Sequence, residues 1–454
     1  MRLDINARWA RLAGLVTSFA RADSLKMKAI RGSLWTLLGY GASQALRLAS
    51  NLVLTRLLFP AAFGQMAIVN VFVQGLQMFS DIGIGSSIVR HKRGEDPVFL
   101  NTVWTIQIIR GVILWAVTCA LAGPTALLYG KPELAPFIVV AGLGAAISGF
   151  NSTSLFTLSR RLSVGRLTLF DLATQMLGIA AMIAWALASP SVWALVVGGL
   201  VTAVVRAVWS HRLSAHGNRP AWDAEARAEL LSFGRVVFLS TGVLFLANQS
   251  DRMILGKYVS MEALGVYSVA WTLSRLGTNI AQTVMGRVLF PALSKLYRED
   301  PEGAAFHYQR LRIVVDAVTV LGALVLLAAG PMLVRLLYDE RYHEAGWMLQ
   351  ILALQSAFDI MRAPAAWLLL AAGKPGYSVW AGVSRIAVLW IGLPLAFMRS
   401  GIDAALWLIV LSGVPSLAVF SEGVGSVFPR LRAGEWVGNI VVLVVLSLAY
   451  LALR

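Results

Sequence analysis

The feature that most constrains this chain is a succession of apolar runs, each about as long as a bilayer is thick. A helix crosses the hydrocarbon core in about 20 mostly apolar residues. Runs of that length, parted by short polar breaks, lie at 33–57, 62–88, 98–122, 135–158, 167–188 and 191–210. A second set lies at 231–256, 262–286, 313–337, 345–371, 377–398 and 402–420, with one more at 437–453. The sequence therefore predicts an all-α polytopic membrane protein with about 12–14 transmembrane helices, thirteen by this count. Composition agrees, with 58% hydrophobic and 14% charged residues and a mean hydropathy of +0.71.

Lys and Arg number 39 against 23 Asp and Glu, a formal charge of +16. A chain this apolar has too little exposed polar surface to read nucleic-acid phosphates, so its basic residues belong at membrane boundaries. Alternate loops bear this out. One set holds Arg90, Lys92 and Arg93, then Arg160, Arg161 and Arg166, then Arg212, Arg219 and Arg227, then Lys295, Arg298 and Arg310, then Lys374, then Arg430 and Arg432. The other set holds little, namely Lys131, Lys257, Arg341 and Arg399. The positive-inside rule makes the rich side cytoplasmic, puts the basic N-terminus there too, and with an odd number of spans puts Arg454 outside. Segment 1–30 is too polar to span. Its Ile5, Trp9, Leu12, Val16 and Phe19 share one helical face, which fits an interfacial helix; a basic tail, or a start at Met27, fits as well.

Several chemistries are absent from the pattern. Cys119 is the sole cysteine, and the five histidines form no HExxH, so neither a disulfide framework nor a metal site is expected. No phosphate-binding or dinucleotide loop is present. Gly142, Gly144 and Gly149 fall in an apolar run, where small residues let helices approach. No cofactor and no enzymatic activity are expected.

The two sets of six runs both begin on the same side, which makes them parallel repeats. Ala62-Phe63-Gly64 in the second run matches Ala263-Leu264-Gly265 in the eighth at an offset of 263 − 62 = 201, and Arg56 matches Lys257 at the same offset. The segment Arg56-Leu57-Leu58-Phe59-Pro60-Ala61-Ala62-Phe63-Gly64, followed by Phe79-Ser80-Asp81-Ile82-Gly83-Ile84-Gly85, resembles the opening of bacterial Wzx-type polysaccharide flippases. Asp251-Arg252-Met253-Ile254-Leu255-Gly256 with Leu264-Gly265-Val266-Tyr267-Ser268-Val269-Ala270, and Arg287-Val288-Leu289-Phe290-Pro291-Ala292-Leu293-Ser294, are similar to the same family. That family lies in a superfamily with multidrug/toxin exporters and lipid II flippases. The resemblance implies two six-helix bundles around a central, cationic cavity working by alternating access. It also implies an inner-membrane location. The implied cargo is an oligosaccharide repeat unit on undecaprenyl diphosphate, flipped to the periplasmic face for O-antigen, capsule or exopolysaccharide synthesis. A polysaccharide polymerase and chain-length machinery are the implied partners, besides membrane lipid. Many members end in a further pair of helices, whereas only one such run is found here. The segments expected are 1–30 (basic, N-terminal), 31–211 (first bundle), 212–228 (linker), 229–421 (second bundle) and 422–454 (loop and extra helix).

Polar residues inside the runs recur with the helical period. Tyr40, Gln44, Arg47, Asn51 and Thr55 share one face, as do Asn70, Gln74, Gln77 and Asp81; so do Trp271, Arg275, Thr278 and Gln282, and then Gln355, Asp359 and Arg362. A central charge costs about 2.5–3.5 kcal/mol to insert, so these stripes should face protein or a wet cavity. Arg47, Arg110 and Arg275 are the candidate diphosphate ligands, since a guanidinium grips phosphate through paired hydrogen bonds. Gln44, Asn51, Gln74 and Gln282 are candidates for sugar hydroxyls. Taken singly, each charge reads equally well as ion-pair glue, for example Arg47 with Asp81. Asp81, Asp251, Asp359 and Arg362 are candidates either for coupling to H⁺ or Na⁺ or for helix ion pairs. Arg206, Asp171 and Asp316 lie nearer the cytoplasmic ends, where snorkelling accounts for them; Arg287 and Arg385 are ambiguous. Pro331, Pro364, Pro394 and Pro415 interrupt runs and predict kinks. Two other functions compete. A multidrug exporter of the same superfamily fits poorly, because an arginine-lined cavity repels cations. A membrane polymerase would need a large catalytic loop, and the longest here, about 210–228, carries no catalytic set.

Overall fold

A computed structural model describes residues 25–79, 85, 88, 93–161, 163–213 and 217–453, and no strand occurs among them. The first half contains α1 (Leu25–Leu57), α2 (Pro60–Phe79), α3 (Pro97–Leu128), α4 (Leu134–Gly149), α5 (Ser154–Arg160), α6 (Val164–Ala188) and α7 (Val192–Arg212). The second contains α8 (Ala224–Tyr258), α9 (Met261–Val284), α10 (Phe290–Glu299), α11 (Pro301–Leu337), α12 (Ala345–Met361), α13 (Ala363–Ala371), α14 (Gly376–Leu411), α15 (Gly413–Val427) and α16 (Arg432–Leu453). Every apolar run read from the sequence falls on helix, the second as far as Phe79. The amphipathic face of segment 1–24 and Asp81 lie outside the described residues.

Loop chemistry sets where helices start. Asp96 caps α3 by accepting from Val98 N, and Pro97 needs no partner for its missing N–H. Asp223 caps α8, Ser260 caps α9 and Asp300 caps α11 in the same way. Hydrogen bonding from the Arg93 guanidinium holds the Asp96 carboxyl below the usual carboxylate range. The segment after α7 is strapped down rather than loose. Arg219 N donates to Asn101 Oδ1, Ala221 N to Thr105 Oγ1 and Asp223 N to Thr102 Oγ1, while Arg93 pairs with Asp223 at 2.9 Å.

Six helical stretches among the described residues are long and apolar enough to cross a bilayer, namely Pro97–Leu128, Val164–Ala188, Val192–Arg212, Pro301–Leu337, Gly376–Val427 and Pro429–Ala452. Runs 135–158, 345–371 and 402–420, each expected as one continuous span, are interrupted. The first bends by 61° between α4 and α5. Carbonyls freed in a membrane need donors, and Gln107 Nε2 donates to Gly149 O and Asn151 O at 3.1 and 3.2 Å and also reaches Ser148 O at 3.2 Å, which already accepts from Asn151 N. The second breaks at Arg362, ahead of Pro364, which cannot donate. There Gln282 Nε2 donates to Asp359 O at 3.3 Å, and Arg312 Nη1 donates to Met361 O. The third is interrupted at Ser412, between α14 and α15, and α14 itself holds a non-helical turn at Ser400 and Gly401, the latter with φ 70°. A π-turn at Met285–Leu289 separates α9 from α10.

Within the first half α6 packs on α1 and α7, and α4 on α3 and α7; within the second, α12 packs on α9, α11 and α14. The halves meet chiefly where α2 lies on α8 and α9. At the Lys/Arg-poor end this contact is backbone to backbone. A Cβ on Gly64 would stand 1.9 Å from Met261 O, and a Cβ on Gly265 would stand 1.9 Å from Pro60 O. Both pairings obey the 201-residue offset (60 + 201 = 261 and 64 + 201 = 265), so the two matching motifs make the same contact on each other. The same end is tied further. Tyr338 Oη donates to Asn51 Oδ1 at 2.8 Å, Arg341 Nη2 to Thr55 O and Arg56 O at 3.2 Å, and Tyr342 Oη to Leu58 O at 3.2 Å. The last helix, α16, is fixed to α11 by Arg312 with Asn439 at 2.5 Å and Tyr308 with Glu435 at 2.8 Å.

Candidate functional site

Two of the four polar stripes, those of α9 and α12, converge at the break between α12 and α13. Asp359, in the last turn of α12, is 2% exposed and serves three guanidiniums. Arg275 of α9 bonds its Oδ2; Arg362, at the break, reaches Oδ1 at 2.7 Å; Arg385 of α14 reaches Oδ1 at 3.4 Å. Three positive charges on one carboxylate leave a surplus of two. Arg362 needs no chain reversal to reach the carboxylate, because it is three residues beyond Asp359 and still in helical conformation, so the two share a face. Arg385 is held in turn by Gln355. With its amide oriented by the hydrogen-bonding surroundings, Gln355 accepts from Arg385 Nη2 at 2.7 Å and donates to Ile409 O at 2.6 Å.

A second guanidinium layer adjoins the first through Trp271. Arg275 Cζ lies 5.6 Å from the centre of that ring, and Arg252 Cζ, from α8, lies 3.5 Å over it. Beside Arg252, Asp251 accepts from Tyr267 Oη at 2.5 Å. A cluster of arginines in a low-dielectric interior, with fewer carboxylates than guanidiniums, is an electrostatic well for an anion and a barrier for a cation. No group of three or more His, Cys, Asp or Glu able to hold a metal occurs among the described residues.

The sequence profile of the family described as "Polysaccharide biosynthesis protein" matches residues 53–346, more than half of the chain. The chain belongs to that family. Lipopolysaccharide biosynthesis protein WzxC of Escherichia coli (strain K12) is 21% identical over 353 residues, 77% of this chain and 71% of that one. Succinoglycan biosynthesis transport protein ExoT of Rhizobium meliloti (strain 1021) is 23% identical over 387 residues, 84% of this chain and 77% of that one. Among solved structures the fold is similar to that of lipid II flippase MurJ in an inward closed conformation, with a TM-score of 0.66, 11% identity and 92% and 97% of the two chains covered. It is also similar to a multidrug resistance MATE family transporter of the MOP superfamily in an inward-facing conformation, with a TM-score of 0.64, 16% identity and 85% and 94% covered. The fold of this polysaccharide biosynthesis protein is thus that of multi-pass transporters.

Of the residues singled out from sequence, Arg275, Gln282, Asp359 and Arg362 come together in the cluster. Most of the others sit elsewhere. Asn51 is engaged by Tyr338 at the sealed end, and Gln44 donates to Tyr40 Oη at 3.1 Å along α1. Gln74 accepts from Gln249 of α8 at 3.3 Å, and Arg110 donates to Gln77 O at 2.9 Å. Arg47 is exposed on α1, and its side chain makes no ion pair or hydrogen bond among the described residues. Arg206 pairs with Asp171 at 2.6 Å, and Asp316 with Arg312 at 3.0 Å. Gln355, read from sequence on the same face as Asp359 and Arg362, joins them here, whereas sequence reasoning left Arg385 ambiguous and missed Arg252. A laterally open groove of about 560 Å³ runs between α9 and α11 over α12, lined by Gly277, Ala281, Gly322, Ala353 and other mainly apolar residues, a surface suited to hydrocarbon chains.

Proposed function

We propose that this protein is a flippase of the bacterial inner membrane. In this reading it moves an undecaprenyl-diphosphate-linked oligosaccharide repeat unit from the cytoplasmic to the periplasmic leaflet for surface polysaccharide synthesis. Transport proceeds by alternating access between two six-helix bundles, with the N-terminus and the Lys/Arg-rich loops in the cytoplasm. The observation that carries the reading is the surplus of two positive charges where Arg275, Arg362 and Arg385 surround Asp359. A diphosphate supplies the missing negative charge, and its oxygens match the paired N–H groups of guanidinium. A cationic drug would meet repulsion at the same place. Membrane lipid is the medium, and a polysaccharide polymerase with its chain-length machinery would take the product. Coupling to H⁺ or Na⁺ would fall to a carboxylate with free capacity. Asp251 Oδ1 has it, being buried without a partner, whereas Asp359 is fully engaged.

A strain lacking the gene tests this directly by extraction of its lipid carriers. The expected result is a complete repeat unit on its diphosphate carrier, held on the cytoplasmic face, with release restored by the wild-type gene. Single units already translocated to the periplasm would sink the flippase reading in favour of a polymerase.

A further inference from the structure

We infer that Arg252 forms a second anion station, nearer the periplasm than the Asp359 cluster, which receives the carrier's diphosphate on its way out. The inference rests on the flippase reading above and concerns how many places along the path hold the anion.

Depth along the helices separates the two stations. At about 1.5 Å per residue, Arg275 lies about 21 Å from the periplasmic start of α9 at Met261, and Asp359 lies the same distance from the start of α12 at Ala345. Arg252 is six residues before the periplasmic end of α8 at Tyr258, so its Cα is only about 9 Å deep by the same measure. Trp271 lies between the two levels and touches both guanidiniums.

The hydrogen bonding of Arg252 is unfinished. It is 9% exposed, and its Nε and Nη2 are buried with no partner. Trp271 covers the face of the guanidinium, but a ring face leaves the in-plane N–H groups unanswered. The adjacent Asp251 does not answer them either, since its Oδ2 goes to Tyr267 and its Oδ1 is unpartnered. A buried guanidinium with an empty edge is costly unless some state of the protein fills that edge. Two parallel N–H groups on one edge are the fork that phosphate oxygens take.

Two stations also answer a kinetic need. An anion held by one well of three arginines would enter readily and leave slowly, whereas a neighbouring well lets it move on, as in multi-site conduction. The approach from Arg275 passes along Trp271, so the headgroup always has a guanidinium within reach while the sealed end parts. Asp251 keeps the upper well shallower than the lower one, which favours release to the periplasm.

The test uses the full-length protein, purified and reconstituted, with fluorescent undecaprenyl diphosphate as the probe. Arg252→Met keeps the volume and stem of the side chain and removes the charge. Its binding of the probe in detergent should stay within about twofold of wild type, because the lower station is intact, while translocation in proteoliposomes falls roughly tenfold or more. Its melting temperature should hold or rise, because an unpaired buried charge is gone. Arg252→Lys, a point charge without the fork, should recover part of the translocation. Wild-type translocation by Arg252→Met overturns the second station, and so does loss of binding in step with translocation, which would make Arg252 part of a single site. A wild-type protein that neither binds nor moves the probe overturns the flippase reading instead. If Arg252→Met does not fold, failure of Arg252→Lys to show any translocation defect overturns the station equally.

Discussion

Asp359 is one carboxylate among three guanidiniums, and its removal is the sharpest perturbation available at the scale of a residue. Asp359→Asn preserves shape and leaves Arg275, Arg362 and Arg385 facing one another. Breaking a buried pair by removing one partner costs about 3–5 kcal/mol, so a large drop in the thermal midpoint in detergent is expected. Adding Arg385→Met to Asp359→Asn should recover part of that drop by removing one of the stranded charges. Equal stability of Asp359→Asn and wild type would refute the network. Part of this cluster is legible in sequence. Asp359 and Arg362 are three apart and must share a face, and Arg275 stands in a polar stripe of its own. Arg385 and Arg252 are not legible, because each becomes meaningful only beside a neighbour on another helix. Arg252 lies next to Asp251 in the chain yet is stacked on Trp271.

At the scale of elements, α2 and α9 touch where neither has a side chain. Alanine at Gly64 would place a Cβ 1.9 Å from Met261 O, and backbone cannot yield as a flexible side chain does. Gly64→Ala should therefore force the two helices apart and favour the state open at this end. Spin labels at Glu133 and Arg399, in a Cys119→Ser background, would report a longer distance. Gly123→Ala, where nothing lies within 4 Å, should leave it unchanged. An unaltered distance in Gly64→Ala would show that this contact does not set the conformation. Helix positions follow from the apolar runs alone. The breaks at 150–153 and at Arg362 do not, because Gln107, Gln282 and Arg312, which reach the carbonyls there, come from distant parts of the chain. A continuous apolar composition carries no mark of that rescue.

For the whole molecule, the two halves are joined at one end by Asn51–Tyr338, by Arg341 on the carbonyls of Thr55 and Arg56, and by Tyr342 on Leu58 O. Each such bond contributes about 0.5–1.5 kcal/mol net. Tyr338→Phe with Arg341→Ala should remove about 1–2 kcal/mol of closure, a roughly 5- to 30-fold change in the ratio of the two states. Single-molecule energy transfer across that end would show the longer-distance state gaining by that factor. No change in occupancy would mean that Tyr338 and Arg341 do not hold the end shut. The 201-residue offset aligns two short motifs in the sequence, but carries no sign that they press against each other. Finally, the pairing of Arg312 with Asn439 has a bearing on how the protein is made. The arginine leaves the ribosome 127 residues before the asparagine, so a nascent chain already holding α11 in the membrane carries a guanidinium that has not met this partner. Delivery of α16 then completes the set, and until that moment Arg312 has Asp316, four residues on in the same helix, but not Asn439.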